Sequence, residues 1–181
     1  RSNLDDTVSS CVDKVATLRE AIVGIDHSPT QLVLTRQCAD VSKLIYHMRI
    51  NGDRIESGCL SRFDNNLRAS VEVTLGGDLP DTSWLQATTG VTFGGLGFRS
   101  AESTALAAFV ASRITSRPLV CTMAQHYVDA TGEHFDKIMG AYDARTEDAV
   151  VTLVGSLSLD VGVDVVEKLA DAVDHHACGR G

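Results

Sequence analysis

Five basic residues have the side chain chemistry needed to bind a phosphate backbone, and they are Arg36, Lys43, His47, Arg54 and Arg62. The first three lie roughly opposite the apolar positions of a predicted helix, so they would form a basic stripe along it. The sequence therefore predicts contact with RNA or DNA through residues 36–68. A solvated helix face is the alternative, because Asp40 interrupts the stripe and the local excess of basic residues is small.

A glycine cluster precedes one of the predicted helices. Gly94, Gly95 and Gly97 come shortly before Ser100, which is a candidate N-cap, and backbone amides at a helix N-terminus attract anions. The cluster lacks the spacing and the lysine of a Walker phosphate loop. We interpret it as a structural turn whose glycines permit positive φ or close packing. Backbone contact with a nucleic-acid phosphate is the alternative.

The acidic, histidine and cysteine residues form no recognisable catalytic or metal-binding motif. Asp5 and Asp6 stand at the start of an amphipathic helix, where carboxylates complement the helix dipole. His175, His176 and Cys178 are of types that bind zinc, but we interpret them as part of a disordered chain end. No serine or cysteine lies in a nucleophile motif. We therefore expect no catalytic residue, no metal site and no cofactor.

The composition is that of an ordinary globular protein. The 181 residues are 44% hydrophobic and 22% charged. Charged or polar residues interrupt every apolar run well before the roughly 18 residues that a bilayer span requires. The five cysteines are widely spaced and include no C-x-x-C pair, which argues against a disulfide framework or a zinc ribbon. We therefore expect an intracellular protein in a reducing compartment, without membrane insertion.

The formal net charge of −8 is unevenly distributed along the chain. Residues 1–118 contain 12 basic and 13 acidic side chains, whereas residues 119–181 contain 4 basic and 11 acidic ones. Because an acidic surface repels phosphates, any contact with nucleic acid must come from the first part. A helix start at Pro118 coincides with this change in charge. We predict one helical unit over residues 1–117 and an acidic helical subdomain over residues 118–181.

The apolar residues recur at alternating spacings of four and three, which indicates amphipathic helices. The second helix begins at a capping box, with Ser28 as N-cap, Pro29 in the first position and Gln31 in the third, and continues to about Asn51. The last predicted helix covers residues 165–173. Strand-like alternation is nearly absent, so the sequence predicts an all-α fold, an irregular bundle of about seven or eight helices.

Four sequence blocks occur in an order that is typical of one protein family. They are Gln31–Arg49 (QLVLTRQCADVSKLIYHMR), Phe63–Arg68 (FDNNLR), Trp84–Ala87 (WLQA) and Phe93–Ala101 (FGGLGFRSA). An alanine-rich helix follows the last block. In this order the blocks resemble the segment downstream of the polymerase core in the reading frames of non-LTR retrotransposons, and the resemblance covers about residues 26–117.

The resemblance implies that these residues form the helical thumb and connecting segment, which grips template and primer beside the polymerase palm. A palm holds two divalent metals on carboxylates of adjacent strands, and the sequence predicts no such strands. We therefore expect a non-enzymatic protein. One hypothesis is a reverse-transcriptase-like module that contacts nucleic acid. The other is a structural or interaction subunit, a captured piece of such an element, that docks onto proteins in a larger assembly.

Overall fold

The computed structural model describes residues 3–156, which contain helices and no β-strand. This confirms the all-α prediction for the described part of the chain. Two short 3₁₀ turns lie at Val41–Lys43 and Val91–Phe93. The α-helices are α1 (Asn3–Val23), α2 (Ser28–Cys38), α3 (Ile45–Asn51), α4 (Ser57–Leu75), α5 (Asp81–Thr88), α6 (Ala101–Thr131) and α7 (Phe135–Ser156).

The described part has fewer long helices than the seven or eight expected: six reach eight residues or more, and α3 has only seven. The difference arises mainly at Pro118, where a new helix was predicted but α6 continues unbroken to Thr131. A proline inside a helix removes one backbone hydrogen bond. Continuation keeps Val110 and Cys121, on either side of the proline, in the clusters that pack against α7. That burial offsets the lost bond.

The second predicted helix is interrupted after Cys38, which corrects the expectation of one helix to Asn51. In a continuous helix the carbonyl of Ala39 would accept the amide of Lys43. Here that amide donates to Asp40 instead, at 3.0 Å, and the Ala39 carbonyl accepts a side-chain hydrogen bond from α1. The chain therefore leaves the helix after Cys38, makes a 3₁₀ turn and re-enters a helix at α3.

The start of α2 also differs from the predicted capping box. His27, rather than Ser28, is the N-cap, and its Nδ1 accepts the Thr30 amide at 3.3 Å. Gln31 does not reach back to the cap. Its side-chain amide donates instead to the carbonyl of Val23, at 2.9 Å, which ties the end of α1 to the start of α2. The tight α1–α2 connection thus depends on Gln31.

The first compact unit extends to Ala105, and its core lies between α1 and α4. Apolar residues at spacings of three and four make this core, as expected for two packed amphipathic helices. The buried residues of these two helices include Val8, Val12, Val15, Ile22, Leu60, Phe63, Leu67 and Val71. Val41, Leu44 and Met48, from the turn and α3, are buried in the same unit.

Arg19 interrupts the apolar face of α1 with a charge that is only 1% exposed. Its Nε donates to the carbonyl of Ala39 at 2.9 Å and its Nη1 to that of Phe63 at 3.0 Å. The guanidinium lies over the Phe63 ring, 4.1 Å from its centroid. Burial lowers the pKa of Arg19 to about 10, while Asp40 and Asp64 oppose the shift. The side chain therefore stays protonated at neutral pH and joins three segments.

The second compact unit begins at Leu106, inside α6. In its described part, α6 and α7 pack against each other. Arg117 binds Asp143 through two hydrogen bonds of 2.9 and 2.7 Å. Arg113 lies over the Tyr142 ring, 3.4 Å from its centroid. These contacts hold the helix pair together beside its apolar clusters.

The structure predicts that Arg19→Met lowers the free energy of unfolding by about 3 kcal/mol, because two buried carbonyls lose charged donors. The measurement is urea unfolding followed by circular dichroism. The matched control is Arg54→Met, whose side chain is 65% exposed, and we expect it to change stability by less than about 0.5 kcal/mol. Equal unfolding midpoints for both variants would contradict the role given to Arg19.

Candidate nucleic-acid interface

Asp64, from the FDNNLR block, holds the N-terminus of α6. Its two carboxylate oxygens accept the backbone amides of Ala101 at 2.7 Å and Glu102 at 3.2 Å. The Ser100 hydroxyl donates to the same carboxylate at 2.7 Å. A carboxylate at this place satisfies free amides and complements the helix dipole. Asp64 of the FDNNLR block thus binds the end of the FGGLGFRSA block, at Ser100 and Ala101.

Arg68, from the same block, fixes the connection between α4 and α5. It donates to Glu72 at 3.1 Å and to Asp81, in the first turn of α5, at 2.8 Å. It also donates to the carbonyl of Leu79. The hydrogen bonds to Asp81 and Glu72 raise the pKa of Arg68 above its ordinary value. This arginine is committed to structure rather than to a ligand.

Aromatic stacking joins the other two blocks. The rings of Trp84 and Phe98 are stacked, with centroids 6.5 Å apart and planes at 20°. Phe98 is buried with Leu67, the apolar residue of the FDNNLR block. The carbonyl of Ala87 accepts the amide of Leu96 at 3.1 Å. The family-like blocks are therefore neighbours within the first unit.

The glycine cluster forms a tight turn whose amides are used internally. Gly94 and Gly97 have φ of 81° and 74°, values that favour glycine. A Cβ on Gly95 would lie 2.1 Å from the carbonyl oxygen of Thr89. The Gly97 amide donates to that same carbonyl at 2.9 Å, and the Gly94 amide donates to Val91 at 3.1 Å. These amides point into the loop, so they do not face a phosphate.

Two arginines tie the segment around α2 to this loop. Arg36, a predicted phosphate contact, donates from Nη1 to the carbonyl of Leu96 at 3.4 Å, and it packs beside Gly97. Arg99 donates from Nε to the buried carboxylate of Asp40 at 3.2 Å. The half-buried Arg36 therefore supports the loop. Its separation from the stripe follows from the helix break after Cys38.

Two further members of the predicted basic stripe are also engaged. Arg62 on α4 donates to the Ser9 hydroxyl at 2.8 Å and lies 3.4 Å from the carboxylate of Asp13, both on α1. Arg54 lies 3.8 Å from the carboxylate of Asp53. The structure therefore does not bring the five predicted residues together as one stripe.

Lys43 and His47, the remaining two, lie on a different surface with Lys14 of α1. The Cys11 thiol donates to the Lys43 carbonyl at 3.6 Å. Burial raises the pKa of Cys11, while the charges of Lys14 and Lys43 oppose the shift. The thiol is therefore poorly suited to act as a nucleophile. A surface cavity of about 450 Å³ opens here, lined by Asp6, Thr7, Ser10, Cys11, Lys14 and His47.

α3, which follows Lys43 along the chain, also has an exposed side. Met48 and Leu44 are buried, so the opposite side of the helix faces solvent. Arg49 is exposed there. Tyr46 and Ile50 share this side, with 68% and 45% of their surface exposed. One helical turn thus presents a basic and an aromatic side chain together.

Lys14, Lys43 and Arg49 are exposed and form no ion pair with any other described residue. Together with His47, they are called the cationic face. Sequence reasoning missed Lys14 because its position beside Lys43 depends on the packing of α1, which no local pattern reveals. Sequence reasoning missed Arg49 because it assumed one continuous helix up to Asn51. The chain breaks between α2 and α3, and this break determines which residues of α3 face solvent.

No family model, curated protein or solved structure matches this chain. Within residues 3–156, no group of three or more histidine, cysteine, aspartate or glutamate side chains is arranged to hold a metal ion. The segment His175–Cys178 and the predicted helix at residues 165–173 lie outside the described residues. No helix in the described part is both long and apolar enough to cross a membrane.

Gly95→Ala is expected to lower the free energy of unfolding by more than about 1 kcal/mol, because the new methyl group meets the Thr89 carbonyl. Gly77→Ala is the control, since a Cβ at that position meets no atom within 4 Å. We expect the control to be neutral or to gain about 0.4–1 kcal/mol. Thermal unfolding measures both, and a Gly95→Ala protein as stable as the control would refute the tight turn.

Proposed function

We propose that the chain is a non-catalytic helical module of a reverse-transcriptase-like protein and that its first unit contacts nucleic acid through the cationic face. The resemblance to the thumb and connecting segment supplies the class of ligand. The single observation that carries the proposal is that Lys14 and Lys43 lie together around Cys11, where neither forms an ion pair within the described residues. Cations without protein partners remain available to phosphate oxygens.

The contacts among the family-like blocks support the first half of the proposal. Asp64 binds the end of the glycine-containing block, and Trp84 stacks on Phe98 of that block. These blocks are separated in sequence, and no local rule requires them to meet. Their meeting in one unit is what a shared fold with the family would produce.

The charge distribution supports the second half. The remainder of the protein is acidic, which disfavours non-specific binding of nucleic acid elsewhere on its surface. On the cationic face, by contrast, the cavity lining includes a single carboxylate, that of Asp6. A small basic surface on an acidic protein selects a binding orientation, because a phosphate backbone is attracted to that surface and repelled from the others.

A structural or interaction subunit is the second candidate function, and α6 supplies the observation that favours it. Leu119, Met123 and Tyr127 are spaced four residues apart and are 64%, 63% and 49% exposed. They form an apolar stripe on one side of the helix. Such a stripe is typical of a surface that another protein covers.

The nucleic-acid proposal predicts that Lys14→Glu combined with Lys43→Glu weakens binding of an oligonucleotide at least about tenfold at low salt. Two phosphate contacts are lost, so the slope of log K against log salt concentration also falls by about two. Fluorescence anisotropy measures both quantities. Lys137→Glu, an exposed lysine on α7 of the second unit, is the control and leaves affinity and slope within about twofold of the wild type. Equal effects of the two changes would contradict the cationic face.

The interaction candidate makes a separate prediction. The native mass of the protein isolated from its source exceeds that of one chain, and Met123→Asp restores the single-chain mass because a carboxylate is costly to bury in an apolar contact. Sedimentation velocity measures this. A single-chain mass for the wild-type protein would count against this candidate without affecting the nucleic-acid proposal.

A further inference from the structure

We infer that the ligand of the cationic face is a single-stranded polynucleotide and that one of its bases stacks on Tyr46. This inference rests on the proposed function. It adds the conformation of the nucleic acid, which the cations alone do not specify, and it assigns a binding role to a residue outside the predicted basic stripe.

Tyr46 is placed for stacking rather than for packing. Its side chain is 68% exposed, and its hydroxyl makes no hydrogen bond with another described residue. One contact orients the ring: the Tyr46 and His47 rings meet edge to face, with centroids 5.7 Å apart and planes at 79°. An aromatic ring held by a neighbour and open to solvent offers a π-face to a ligand.

The cations stand on both sides of this ring. Arg49 follows Tyr46 by three residues within α3, so it lies about one helical turn from the ring on the same side of the helix, and Lys43 ends the 3₁₀ turn three residues before Tyr46. Both are exposed and make no ion pair within the described part of the chain. Phosphates on either side of a stacked nucleotide would therefore meet positive charge. Proteins that bind single-stranded nucleic acid combine basic side chains, which contact the backbone, with aromatic side chains on which the bases stack.

A duplex does not fit this arrangement equally well. In a double helix the base faces are stacked on one another, and only base edges and phosphates reach the surface. An exposed aromatic ring would then add no affinity for the duplex beyond that of the basic side chains beside it. Since stacking on an aromatic side chain is worth about 1–3 kcal/mol per base, Tyr46 favours the strand whose bases are free. RNA and DNA share this chemistry, so the test includes both.

The apolar neighbour Ile50, 45% exposed, allows one competing explanation. Tyr46 and Ile50 together would also suit a protein contact. The flanking cations favour a nucleic acid, because Lys is depleted at the centres of protein interfaces. The native mass of the wild-type protein and of the Tyr46→Ala variant, measured alongside probe binding, distinguishes a protein contact from a nucleic-acid contact.

The experiment measures binding of the full chain by fluorescence anisotropy at low salt, with probes of about 15 nucleotides. The probes are oligo(U), oligo(dT), an abasic strand of equal charge and a duplex of equal length. Tyr46→Ala is expected to weaken binding of the base-bearing strands about five- to a hundredfold and to leave the abasic strand unaffected. Tyr46→Phe retains the affinity because it keeps the ring. Phe93→Ala removes an aromatic ring that is 84% exposed and lies outside the cationic face, so it is the control and changes nothing.

Three results would overturn the inference. Unchanged affinity of Tyr46→Ala for oligo(U) and oligo(dT) would remove the stacked base, and so would a duplex that binds as tightly as the single strands. If the wild-type protein is an oligomer and the Tyr46→Ala variant is a single chain, while both bind the probes equally, the ring belongs to a protein contact. If the wild type binds none of the probes, the proposed function itself fails, which is distinguishable from the other outcomes.

Discussion

The buried guanidinium of Arg19 joins α1 to α4 and to the break that follows α2. A charge removed from water needs hydrogen-bond partners in the protein, and here the carbonyls of Ala39 and Phe63 accept from Nε and Nη1, while Nη2 is buried without a partner among the described residues. The Ala39 carbonyl lies at the break after Cys38, so this hydrogen bond joins the break to α1, whereas the Phe63 carbonyl accepts its bond inside the unbroken α4. The turn that follows places Lys43 next to Cys11 and sets the direction of α3. This buried interaction therefore lies directly beside the turn that carries Lys43.

The residues that make the sequence resemble a family are mostly used inside the fold. Asp64 caps α6, Arg68 fixes the α4–α5 connection and Gly95 lies against Thr89. Arg36 likewise contacts the glycine loop. Motifs of this kind identify a scaffold rather than a binding surface. Of the proposed ligand contacts, the sequence singled out Lys43 and His47 but not Lys14, Tyr46 or Arg49.

The sequence predicted the helical class and most helix positions, since these depend on local apolar spacing. It predicted wrongly at Pro118, where burial on both sides outweighs local preference, and after Cys38, where the chain makes a 3₁₀ turn instead of continuing the helix. The basic stripe was derived from an unbroken helix. Once the helix breaks, Arg36 turns to the loop and Arg62 to α1, while Lys43 and His47 stay together. Only tertiary packing brings Lys14 to them, and no sequence spacing contains that information.

The most direct test of this account is photo-crosslinking of the full chain to a 4-thiouridine oligonucleotide, followed by mass spectrometry of the attached peptides. The account predicts that the oligonucleotide attaches within residues 41–50, with Tyr46 as the main site. The side chains of Asp64, Arg68 and Arg36 already make contacts inside the protein. Attachment confined to the turn at Gly94–Gly97, or to α6 and α7, would contradict it. In that case the four sequence blocks would form the binding surface, and the cationic face would contact only solvent.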